Sequence, residues 1–182
     1  MEPLVHLFLP VMLVLALYPR MEKRLVWGLC FLTVIPDLDV VVGHRSLLHN
    51  LLFVLLVAGG IWLAGRKTMG EERARIASYL ALFYLGSHLL LDIGSPGVPL
   101  FYPFSDHLYG FNFYLLTTAV NGLGNGLGLR AQGSIINNPL QAATAMTDAP
   151  AVTTLGVVLV VLVLLLLVGR KLFKERRAPP KP

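Results

Sequence analysis

The chain has 182 residues, 55% of them apolar and only 14% charged, with a mean hydropathy of +0.70. Soluble domains carry about a quarter charged residues, so the composition excludes an ordinary soluble enzyme and points to an all-α integral membrane protein built as one helical bundle. A single cysteine, Cys30, excludes an intramolecular disulfide and a thiolate metal cluster, and the net charge of +5 has to be read by position.

The first predicted helix covers residues 4–18, apolar apart from His6 and interrupted by Pro10. Glu2 stands where a cleaved leader carries basic residues, so a retained helix is expected. Arg20, Lys23 and Arg24 follow, and then a second helix is expected over 25–41. Its uncharged part, residues 25–35, is too short for the ~30 Å hydrocarbon core. Either the helix continues through Asp37 and Asp39, or it breaks at Pro36 with both acids near membrane depth. Irregular backbone at that depth has to be buried in protein or line a cavity.

The third predicted helix is 47–64, with Ser46 as its N-cap, and the polar run 66–75 closes a hairpin. The fourth, 76–92, ends on His88 and Asp92 before a break over 94–97. Residues 93–150 read as a non-cytoplasmic loop. Within it 111–120 is a candidate short surface helix and Asn121 to Gly128 a flexible stretch. With no strand expected before them, those glycines are not a nucleotide-binding fingerprint. The last predicted helix, 152–168, runs into the basic tail 170–182.

Short loops rich in lysine and arginine stay cytoplasmic. Thirteen of the fifteen basic residues fall in the first and second interhelical turns of that kind and in the tail; only Arg45 and Arg130 lie opposite. A five-helix bundle in the cell membrane is therefore expected, N-terminus outside and C-terminus cytoplasmic. This topology, built without them, places all five histidines near the outer face, together with Asp37, Asp39, Asp92 and Asp106.

Ionisable groups at membrane depth are costly and face a protein interior or a wet cavity. His88 and Asp92, four apart, share one helical face. Asp37 and Asp39 converge only on non-helical backbone, which Pro36 permits. With His44, His49 and His6 they make seven candidate metal ligands: His6, Asp37, Asp39, His44, His49, His88 and Asp92. Histidine nitrogen and aspartate oxygen suit a divalent metal, zinc foremost, with manganese or magnesium as alternatives. Seven ligands exceed the needs of one tetrahedral ion, so one or two ions are open. Arg45 is a candidate clamp for a phosphate oxygen. A proton or ion pathway uses the same residue types, and His6 alone fits a hydrogen-bonded interior residue equally well. Phe101, Tyr102, Phe104, Tyr109, Phe111, Phe113 and Tyr114 read as an interfacial aromatic belt. Nothing here points to nucleic acid.

At these motifs the chain resembles the YdjM-like family of inner-membrane-associated proteins, described as LexA-binding and as metal-dependent hydrolases. The matching residues are His6, then Pro36-Asp37-Leu38-Asp39, and His44-Arg45-Ser46-Leu47-Leu48-His49-Asn50. His88 to Asp92 and Tyr102-Pro103-Phe104-Ser105-Asp106 complete the series. Ser46, Leu48 and Asn50 stand where the family carries Gly, Thr and Ser, which removes a hydroxyl expected to orient His49.

The combined expectation is a membrane-embedded, metal-dependent hydrolase. Its substrate would be a phosphoester or phosphodiester of a membrane lipid or lipid-linked molecule, attacked by a metal-activated water. Arg45, Asp39 and Asp92 are the catalytic candidates. The alternative is a non-enzymatic metal-stabilised scaffold or an ion- or proton-handling protein.

Overall fold

The structure, a computed structural model, describes residues 3–39, 46–93, 97–119, 125–137 and the four residues Val161, Leu162, Leu164 and Leu165. Among these it is mostly helical. Helix α1 is Pro3–Leu17, and it turns His6, Pro10, Val11, Val14 and Leu15 inward at three- and four-residue intervals. Helix α2, Lys23–Gly28, is only six residues long. The chain then takes two 3-10 turns, Cys30–Thr33 and Ile35–Leu38, rather than one helix over 25–41. Side chains compete with the ladder here. Cys30 Sγ donates to the Trp27 carbonyl at 3.0 Å and Thr33 Oγ1 to the Cys30 carbonyl at 2.6 Å. Pro36, lacking an N–H, then rules out a return to α geometry.

Two long helices follow, α3 over Leu51–Thr68 and α4 over Glu71–Asp92. The N-cap of α3 is Asn50, not Ser46. Asn50 has the extended backbone a cap needs, and its Oδ1 accepts the Phe53 N–H at 2.8 Å. Its Nδ2 donates to the carbonyls of Ser46 and Leu47, both at 2.8 Å, a double tie that serine could not make. Helix α4 begins five residues before the expected 76, because Glu71 and Glu72 suit the positive end of a helix dipole. The reversal between the helices is Gly70, whose φ of +87° is glycine territory. Just before it the backbones nearly touch: a Cβ on Gly65 would lie 3.0 Å from that of Ala74.

Helices α3 and α4 are long and apolar enough to cross a membrane. At 1.5 Å per residue their 18 and 22 residues reach about 27 and 33 Å. Only 17% of the apolar stretch of α3 is buried by protein, and Leu52, Leu55, Leu56 and Leu63 are exposed, as a lipid-facing helix requires. The interior lies along α4. One cluster joins Val11, Val14, Leu15, Val26, Cys30, Leu80 and Tyr84, with the Tyr84 hydroxyl donating to the Val26 carbonyl at 3.1 Å. Another joins Val54, Leu85, Leu89 and Val98. At the α2 end Arg73 pairs with Glu22, and this holds the Glu22 carboxyl below its usual pKa.

Residues 107–137 depart from expectation. Instead of a surface helix over 111–120 and a loose stretch over 121–128, strands β1, His107–Ala119, and β2, Asn125–Asn137, pair antiparallel over their whole length, while 120–124 lie outside the described residues. The reason lies in β1, whose aromatic and threonine side chains favour strand, and β2 is drawn into strand as its antiparallel partner. The predicted helix 152–168 lies outside the described residues except for the four named above, which are helical.

Replacing Asn50 by Ala should lower stability by about 0.5–2 kcal/mol, the range for a lost N-cap. In a thermal melt of detergent-solubilised protein, Ser46→Ala should have the smaller effect.

Candidate metal centre

Four broken or ending elements meet at one end of the bundle: α1 brings His6, the second 3-10 turn brings Asp37 and Asp39, the loop before α3 brings His49, and the last turns of α4 bring His88 and Asp92. His6, Asp39, His49, His88 and Asp92 are all at most 3% exposed. One ligand atom each from Asp37, His49, His88 and Asp92 lies within 4.8 Å of the other three.

The hydrogen bonds determine which atoms face the centre. His88 Nδ1 is 2.6 Å from the Thr33 carbonyl, which can only accept, so Nδ1 carries the proton and a neutral ring presents a lone pair on Nε2. His49 repeats the pattern, with Nδ1 2.8 Å from Asp39 Oδ2. The two Nε2 atoms then face each other at 3.1 Å. Asp92 Oδ2 stands 3.1 Å from one and 3.5 Å from the other, and Asp37 Oδ1 is 3.6 Å from His88 Nε2. Converging acceptors repel one another unless a cation or a proton lies between them. Tetrahedral bonds of 2.0–2.1 Å put ligand atoms roughly 3.4 Å apart, close to these separations. The donor set thus fits a divalent metal ion.

The seven candidates divide. Asp37, His49, His88 and Asp92 converge. Asp39 instead grips the back of His49, also accepting the Leu48 N–H at 3.4 Å. His6 Nε2 takes the other oxygen of Asp92, at 2.7 Å, and its ring lies 4.4 Å from that of His88. His44 and Arg45 lie outside the described residues. Asp106 and His107 are exposed, away from the cluster. Asp37 is the accessible member, its side chain 25% exposed. Among the described residues, Asp37 Oδ2 and Asp39 Oδ1 have no hydrogen-bond partner, buried though these atoms are.

The model of a family described as YdjM inner membrane protein matches residues 1–175. The chain belongs to the YdjM inner membrane protein family. No curated protein and no solved structure matches it. For this YdjM family member, sequence reasoning missed Thr33, which acts through a backbone carbonyl and so leaves no side-chain signal. It noted Asn50 only as a departure, where the structure makes it the anchor of the loop bearing His49. The lost hydroxyl is also answered: Asp39 orients His49.

Carboxylates behind metal-binding histidines fix the tautomer and raise ligand basicity, and losing one typically weakens binding about 10–100-fold. Asp39→Asn should therefore weaken zinc binding by about that factor, read by competition with a chromophoric chelator, while the circular dichroism spectrum stays helical.

Proposed function

We propose that this protein is a metal-dependent hydrolase embedded in the membrane, acting on a phosphoester or phosphodiester of a lipid-like substrate. The observation that carries it is the pair of imidazole Nε2 atoms 3.1 Å apart, each ring pinned through Nδ1, with the carboxylates of Asp92 and Asp37 beside them. His49, His88 and Asp92 would hold the ion, zinc by ligand type, with Asp37 beside the fourth position, which a catalytic site leaves open for water. When bound, such an ion supplies Lewis-acid polarisation of a phosphoryl or carbonyl oxygen and activation of water. The chain's own groups do the rest. Asp37, whose side chain is 25% exposed, would take the proton from an attacking water. Asp39 and the Thr33 carbonyl keep the histidines in register, and His6 fixes the second oxygen of Asp92. Arg45, four residues before His49 in sequence, has the guanidinium fork that suits a phosphate oxygen. The charge pattern supports a five-helix bundle with the N-terminus and the site outside, which puts the site where a lipid substrate need not leave the bilayer.

A second reading has its own support. Four protein ligands close a tetrahedral zinc, as in structural sites, and three of the four are essentially inaccessible. A metal-stabilised scaffold without turnover would look the same from inside.

Elemental analysis of detergent-purified protein separates these. Near-stoichiometric zinc is expected in the wild type, with at least a tenfold loss in His88→Ala and Asp92→Ala. Asp37→Ala should keep the metal yet lose turnover on a phospholipid and phosphodiester panel. Stoichiometric metal with no turnover by the wild type supports the scaffold. A wild type that takes up no metal after supplementation overturns both.

A further inference from the structure

Among the described residues, the backbone hydrogen bonds that tie the β1–β2 ribbon to the helical body lie near its base. Tyr109 exchanges both backbone hydrogen bonds with Val98 at 2.9 Å, and the Phe111 N–H donates to the Ile93 carbonyl at 2.8 Å. Ile93 follows the last residue of α4, and the neighbouring 98–100 segment is bound to the first residue of α3, the Leu51 N–H donating to the Leu100 carbonyl at 2.9 Å. The ribbon therefore leaves the body at the level where both long apolar helices end. From there thirteen-residue strands reach about 43 Å.

The register sorts the ribbon into two unlike faces. Residues opposite each other share a face, and alternate residues share it along a strand. One face carries Tyr109 opposite Ile135, then Phe111 and Phe113, then Leu115 opposite Leu129. The other begins at the base with Leu108 opposite Ile136, is polar at its centre with Gly110 opposite Ser134, Asn112 opposite Gln132 and Tyr114 opposite Arg130, and then carries Leu116 opposite Gly128. Arg130 is the one Lys, Arg, Asp or Glu residue in the two strands. Where side chains are described, the apolar face is exposed in part: Phe111 is 38% and Ile135 65% exposed. It continues into Phe101, which meets Tyr109 edge-on at 5.3 Å, and into the exposed Phe104.

We infer that this ribbon is an interfacial membrane anchor: it lies along the bilayer surface at the site-bearing end of the bundle, apolar face on the lipid and the Asn112/Gln132 and Tyr114/Arg130 face in water. Three features choose lipid over a protein partner. The ribbon starts at the ends of membrane-length helices. The face that carries Tyr109, Phe111 and Phe113 is rich in aromatic residues, as the headgroup boundary prefers. The ribbon's open strand edges cannot enter hydrocarbon, where unpaired N–H and C=O groups go unsatisfied, but are hydrated at headgroup depth. One unlike face per side is the signature of an in-plane, not a spanning, element.

The test uses the full chain, one copy per nanodisc of phosphatidylcholine and phosphatidylglycerol. In a Cys30→Ala background, Asn112→Cys, Phe113→Cys, Tyr114→Cys and Leu115→Cys carry a bimane label. Spin-labelled lipid should quench positions 113 and 115 more than 112 and 114, and aqueous iodide should reverse the order. Hydroxyl-radical footprinting of the unsubstituted chain in the same discs should modify Tyr114 and protect Phe111 and Phe113. Equal quenching and equal oxidation of the two faces overturn the inference. Protection that appears only with two copies per disc overturns it in favour of self-association.

Discussion

A histidine has two ring nitrogens, and His88 places one of them on the Thr33 carbonyl. The polar end of the bundle is organised by that single contact. In a continuous α-helix the Thr33 carbonyl would accept the N–H of Asp37. Here the Asp37 N–H goes to Val34 at 3.2 Å instead, as a 3-10 turn requires, and the Thr33 carbonyl is left to receive an imidazole. The broken geometry of residues 29–39 is thus a condition of the site. It frees an acceptor to set the His88 tautomer, and it delivers Asp37 and Asp39 to opposite sides of His49.

Long apolar runs made the helices legible, since α1, α3 and α4 follow from hydropathy alone. Their ends were less so. Asn50 outcompetes Ser46 as a cap because an amide can accept from Phe53 while donating to two carbonyls. The ribbon was misread because a short apolar run looks alike as helix or strand, and length and composition have to arbitrate. Tyr109, Phe111, Phe113 and Leu115, two apart, held the period that decides it.

The cluster itself was visible as a surplus of costly groups in one region, but the roles within it were not. Nothing in Pro36-Asp37-Leu38-Asp39 says that the first acid faces the two histidines and the second stands behind one of them. That distinction arises from the turn and from the position of His49, which Asn50 fixes through the carbonyls of Ser46 and Leu47. The substitutions around His49 therefore alter its support without removing it: a carboxylate ten residues upstream holds the ring.

Burying this many ionisable groups does not by itself stabilise a fold, because desolvation offsets what pairing returns. The compensation comes from shared framing. Asp92 closes α4, and the next residue, Ile93, holds Phe111 of the ribbon. His49 stands just ahead of α3, whose first N–H holds Leu100. One candidate ligand, Asp92, is therefore one residue from a ribbon attachment, and another, His49, is two residues from the bond to the 98–100 segment that pairs with Tyr109. A force that displaces the ribbon acts on the backbone that sets the Asp92 and His49 positions. Seating the ribbon on a bilayer would steady the ends of both helices, and with them the atoms that face the centre.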